Sequence, residues 1–242
     1  MPRMELDKIR LAVVICDMWD AHHCDSAAQR VAEMAPHMDR VVTSLRATGA
    51  RIIHAPGGCV DFYRDTPARR NAQRVPRIEA LVPIDWQPLD PSREPELPAS
   101  LMNPGSCSCD SPEPCCEPGH SYPWTRQIAT IRIADEDVVT DDGHEVFSLL
   151  EHWDITDVLV MGVHTNICVL GRPYGIRQLV YLGKRPLLCR DLTDAFHRDA
   201  RGHTWGTREV IAHIERHWCP TVTSNQLVGG HSFRFAADDA PA

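Results

Sequence analysis

The sequence predicts an α/β fold, a three-layer doubly wound sandwich around a mainly parallel six-stranded sheet. Three observations predict it. Apolar runs of strand length recur, with LAVVIC at Leu11–Cys16 and VLVMGV at 158–163 the longest. Unbroken runs of this kind are how strands buried on both faces read. Amphipathic helical stretches separate the runs. Strand alternating with helix then calls for right-handed crossovers and parallel neighbours covered on both faces.

The elements follow in order. Strand Leu11–Cys16 ends at Asp17. Residues 28–48 form a helix with Val31, Met34, Ala35, Met38, Val41, Val42 and Leu45 on one face, and Gly49 stops it. Arg51–Ala55 (RIIHA) is the second strand, broken by Pro56, Gly57 and Gly58. Regularity returns with a third strand at 128–133, a helix at 143–153 and the fourth strand at 158–163. A helix at 165–182, a strand at 186–189, a helix at 204–217 and a short strand at 221–223 complete the frame.

A chain of 242 residues fits a single domain, 1–242, here with a long Pro/Cys-rich insertion at about 57–125. The net charge of −8, from 25 basic and 33 acidic residues, argues against a nucleic-acid partner. No apolar run approaches the roughly 18 residues of a membrane helix, and MPRMELDKIR lacks the apolar core of a signal peptide. The expectation is a soluble, cytoplasmic protein acting on a small molecule. Only Lys8 and Lys184 are lysines, so a mechanism centred on lysine is in difficulty.

In a doubly wound sheet, ligands bind at the carboxyl ends of the strands. That rule selects Asp17 after strand one, where a carboxylate can act as a general base or cap a turn. It also selects Cys168 in GVHTNICVLG, at the opening of the helix after strand four. There a thiol is either an activated nucleophile or a small core residue. Trp19 is a candidate pocket wall, and His22, Cys24 and His54 are polar pocket residues or candidate metal ligands. The segment CSCDSPEPCCEPGH holds Cys107, Cys109, Cys115, Cys116 and His120. Structural zinc, a disulfide and free thiols all fit it, since no clean C-x-x-C is present.

ICDMWD after strand one and LVMGVHTNICV at strand four resemble the isochorismatase-like cysteine hydrolases, the superfamily that includes the nicotinamidases. The resemblance covers about residues 9–55 and 128–225 and omits the insertion. It implies that Cys168 is the nucleophile and Asp17 the base. It further implies a cis peptide before His164, an oxyanion hole made by the backbone amides of His164 and Cys168, no required cofactor, and a homo-oligomer. Trp19, His22, Arg126 and Asn166 are the substrate-binding candidates.

The sequence departs from this family at its lysine, which lies just after strand three. With that strand at 128–133, the stretch reads Ala134-Asp135-Glu136-Asp137-Val138, which puts Glu136 near the lysine's place. Arg126 and Arg132 are the cations that could substitute, and Arg172, one turn after Cys168, reads more readily as a surface residue. The expected activity is cleavage of a small C–N bond through a thioester. The alternatives are a non-hydrolytic binding relative and a vinyl ether hydrolase.

Overall fold

A computed structural model describes residues 10–102, 108–111 and 122–236. Six strands form one sheet in the order β3-β2-β1-β4-β5-β6, and every neighbouring pair is parallel. The strands are β1 (Leu11–Cys16), β2 (Arg51–Ala55), β3 (Val138–Val139), β4 (Asp157–Val163), β5 (Arg185–Asp194) and β6 (Thr221–Val222). The helices are α1 (Asp25–Ala47), α2 (Pro67–Gln73), α3 (Gly143–His152), α4 (Cys168–Gly171), α5 (Ile176–Tyr181), α6 (His203–His217) and α7 (Ser224–Val228).

Side chains alternate across the strands and split the core in two. Leu11, Val13 and Ile15 of β1 pack with the apolar stripe of α1, while Ala12, Val14 and Cys16 face α3, α5 and α6. This gives the three layers expected of the sequence. The strand order reverses between β1 and β4, the first strands of the two halves. Such a switch point opens a crevice at the carboxyl ends.

Two expected elements differ. Residues 128–133 form no strand. Ile131 donates its amide to the Ile128 carbonyl, and the two isoleucines turn together onto the α1 side of the core. The true β3 is Val138–Val139, pairing with Ile53 and His54. Two residues are too short to leave a period in the sequence. The stretch after strand three is therefore Thr140-Asp141-Asp142. Glu136 precedes β3 and is exposed beside Arg51 and Gly49 at the amino-terminal edge.

The helix expected at 165–182 is also broken, into α4 and α5. Pro173 has no amide proton and disfavours helical dihedrals in the residue before it. Arg172 accordingly takes φ −56 and ψ 154.

The segment between β2 and β3 carries α2 and is strapped to the body by Glu94. One Glu94 oxygen pairs with Arg177 at 2.7 Å. The other accepts from His213 at 2.6 Å and from Trp218 at 2.7 Å. Burial would raise this carboxyl, but His213, Arg177, Trp218 and the Asp90 amide outweigh it and hold it at about 2, below its ordinary 4.5. A depressed carboxyl stabilises the fold above its unfolded value, and that contribution is lost as the pH falls from about 4.5 towards 2. Glu94→Gln should cost about 3 kcal/mol at neutral pH, because it leaves Arg177 without its counter-charge. It should also flatten the acid limb, as denaturant titrations at several pH values will read.

Candidate active site

Asp17 and Cys168 leave adjacent strands at the switch point. Asp17 follows β1 in a left-handed conformation (φ 50), which Asp tolerates better than most residues. Its side chain is fully buried (0% exposed). One carboxylate oxygen accepts the Gly57 amide at 2.7 Å. The other accepts Arg172 through Nε and lies 3.0 Å from both Nε and Nη2. The Cys168 thiol lies beside the same carboxylate: the Asp17 charge raises the thiol, and the thiol lowers the carboxyl. Cys168 opens α4, so its own N–H lies in the first turn, which has no intrahelical acceptor. The Val163–His164 peptide is cis, and the His164 backbone N–H works against the upward shift of the Cys168 thiol.

Burial raises the Asp17 carboxyl above the usual carboxylate range. Arg172, the thiol and the Gly57 amide pull it down without cancelling that effect. Cys168 is also pushed well above the usual thiol range, by burial first and then by the Asp17 charge. The resting pair is therefore a thiol beside a carboxylate that binds a proton more readily than an exposed one. That is the arrangement a base needs to receive the proton of an attacking thiol.

Gly57 is required by proximity. A Cβ there would lie 2.5 Å from Arg172 Nη2 and 2.7 Å from the Asp17 oxygen. Gly171 is the second such position, since its Cβ would meet the Trp86 indole at 2.8 Å.

Above Cys168 lies a cavity of about 450 Å³ with aromatic walls: Trp19, Trp86, Tyr122, Trp124 and Phe196. Trp19 and Trp124 stack with ring centroids 4.1 Å apart, and Tyr122 lies 4.6 Å from Trp124. Trp19 is held by its indole N–H to the Gly57 carbonyl at 3.0 Å. His22 and His164 line the same cavity, with their Nε2 atoms 3.3 Å apart. Burial and neighbouring positive charge lower His22 to about 2. Burial also lowers His164, to about 4. Both are neutral imidazoles at neutral pH, whereas Arg172 brings a positive charge to this wall.

Comparison with solved structures agrees with this architecture. A cysteine hydrolase from Pseudomonas syringae pv. phaseolicola aligns at TM-score 0.55 and 15% identity, over 93% of both chains. An isochorismatase from Pseudomonas putida aligns at 0.55 and 11%, over 94% of both. An isochorismatase family protein from Burkholderia thailandensis aligns at 0.51 and 14%, over 89% of this chain and 92% of that one. The chain has the isochorismatase-like hydrolase fold. No protein-family model matches it, and no curated protein does.

Within that fold the other candidates separate. Arg126 sits 3.8 Å from Asp20 and over the Phe62 ring, and Arg132 pairs with Asp39 at 2.9 Å. Neither faces Asp17. The cation that does is Arg172, turned inward by the Pro173 break. Glu136 does not reach the cavity, because it enters β3 from the opposite edge. Asp141, which does follow β3, accepts the Gly58 amide at 2.8 Å. Asn166 is a clamp: its amide donates to the Leu101 and Phe196 carbonyls and accepts the Phe196 amide.

His22, Cys24 and His54 are not brought together. His54 is buried between Gln127 and Asp137, at 3.0 and 3.1 Å. Cys24 contacts Asp110 and Ser111 and shares a small apolar cluster with Cys109. Among the described residues no three His, Cys, Asp or Glu side chains are grouped to hold a metal. Cys107, Cys115, Cys116 and His120 lie outside the described residues. No helix among those described is long and apolar enough to cross a membrane.

Proposed function

We propose that this protein is a cysteine hydrolase that cleaves the C–N bond of a small amide or urea-like compound through a thioester on Cys168. One observation carries the reading: a buried carboxylate, clamped by Arg172 and the Gly57 amide, stands beside the Cys168 thiol at the floor of an open cavity. The names of the structural neighbours, a cysteine hydrolase and isochorismatases, agree with a hydrolytic reaction.

Asp17 takes the thiol proton as sulfur bonds to the carbonyl carbon, and the carbonyl electron pair moves onto oxygen. The His164 and Cys168 amides are the donors for that oxyanion. As the C–N bond breaks, Asp17 returns its proton to the departing amine. Water then attacks the thioester with Asp17 again as base, releasing the acid and restoring the thiol.

The test is ammonia or amine release from a panel of small amides, ureas and carbamoyl compounds, with intact mass measured during turnover. The expected result is release accompanied by a transient mass increase on a peptide containing Cys168. Silence across the panel, together with a Cys168 inert to iodoacetamide, would overturn the reading and favour a binding protein on the same fold.

A further inference from the structure

We propose that a second cavity, between α6 and residues 232–235, binds a small organic anion with an apolar body, of the class of the aryl carboxylates. The site is separate from the reaction at Cys168, since the two cavities share no lining residue.

The cavity measures about 500 Å³. One face of α6 lines it, with His203, Thr207 and Ile211 four residues apart and Arg208, Ala212 and Glu215 beside them. Arg190 and Asp191 of β5 line it too, as do Phe233, Arg234 and Phe235 from the segment after α7. That segment is pinned at two points. Phe233 donates its amide to Asp191 at 2.9 Å, and Ala236 donates its amide to Glu33 at 2.5 Å. The Phe235 ring stands nearly perpendicular to those of Phe233 and His203, with centroids 4.9 and 5.2 Å away. The protein's own contacts therefore build this cavity.

Its charge selects the occupant. Arg190, Arg208 and Arg234 stand against two carboxylates, Asp191 and Glu215, a local cationic excess in a chain whose net charge is −8. The acceptors are engaged within the protein. Asp191 takes the Ser224 amide and hydroxyl as well as the Phe233 amide. Glu215 takes the Thr221 hydroxyl and, at 3.5 Å, Arg190. The Thr207 and Thr193 hydroxyls donate to Asp194 and to the Gly162 carbonyl.

The donors are open. Arg208 has no hydrogen bond or ion pair among the described residues, and Arg190 has the single contact through Nη1. A guanidinium presents five N–H donors in a planar fork that matches a carboxylate. Open donors beside engaged acceptors favour an anion, and a cation would face three arginines.

The remaining lining calls for an apolar body. Ile211 and Phe233 are half-buried, so a ligand ring resting on them would remove more apolar surface from water. Phe233 also offers a ring the geometry of an aromatic pair. An inorganic ion would leave both uncovered.

The test is calorimetry of the Cys168→Ala protein with benzoate and with acetate, the same charge without the ring. Benzoate should bind several-fold more tightly. Arg208→Gln should weaken benzoate roughly tenfold or more, and Arg208→Lys, which keeps the charge and loses the fork, should fall between. Ala212→Trp should remove benzoate binding by placing an indole in the cavity. Arg208 and Ala212 are both exposed on α6, so far-UV circular dichroism should show an intact fold in each variant. A ligand seated above Cys168 would be untouched by these changes. Absence of benzoate binding, acetate binding as tightly as benzoate, or benzoate affinity unchanged in Arg208→Gln and Ala212→Trp would overturn the proposal.

Discussion

Cys168→Ala is expected to lower kcat/KM on any amide the protein hydrolyses by about four orders of magnitude or more, and Asp17→Asn by roughly three. Positioned general acid–base groups contribute about 10²- to 10⁴-fold, and residues that act as one unit lose most of their effect with the first removal. The double variant should therefore be little worse than Cys168→Ala alone. If the two losses instead multiplied, Asp17 would be acting independently of the thiol. The pH profile supplies a second readout. Asp17 must be ionised to accept the thiol proton, so activity should fall as the pH drops through its carboxyl's pKa. That pKa is raised by burial, so the fall should come above the usual 3.8. Because Cys168 rests as a thiol with its own titration pushed well up, no limb near the ordinary thiol pKa is expected. A limb there would show a free thiolate mechanism in place of base-assisted attack.

The second large effect is predicted at Arg172. Arg172→Met leaves Asp17, 0% exposed, without the guanidinium 3.0 Å away. Breaking such a pair from one side costs about 3–5 kcal/mol in buried sites. Arg172 is 27% exposed, so the lower end is expected. Without the cation the Asp17 carboxyl should titrate higher still, which moves the acid limb of the rate profile upward and lowers activity at neutral pH by about two orders of magnitude. Arg172→Lys should restore the charge but not the paired approach of Nε and Nη2 to one oxygen, and should fall between the two. Thermal unfolding and the pH–rate profile of the three proteins check this. An unchanged acid limb in Arg172→Met would mean that the guanidinium only fills space.

The identity of this cation was hard to read from the chain. Arg172 and Asp17 are separated by 155 positions, and no local pattern links them. The signal available was Pro173. A proline one residue after an arginine, inside an otherwise apolar helical stretch, breaks the helix and frees that arginine to turn inward. The displaced third strand has a different cause. The 128–133 stretch has strand-like composition, but Ile128 and Ile131 point to one side through a turn, while the real β3 pairs through only two residues. That displacement puts Glu136 at the opposite edge of the sheet from the place the sequence pattern predicts for it.

Local pattern in the sequence is enough to predict the layered α/β frame, β1, β2 and β4, Asp17 at the end of a strand and Cys168 at the opening of a helix. Unbroken apolar runs and helical stripes are local patterns, and burial on both faces of a parallel sheet leaves them no other use. Only the folded chain decides which cation meets Asp17, which side chains join Trp19 and His22 in walling the cavity, and that the segment between β2 and β3 supplies Trp86, Tyr122 and Trp124. Those contacts join residues far apart in the chain. They are set by packing and by the pairing of buried charge, which depend on distances in space and leave no period in the sequence.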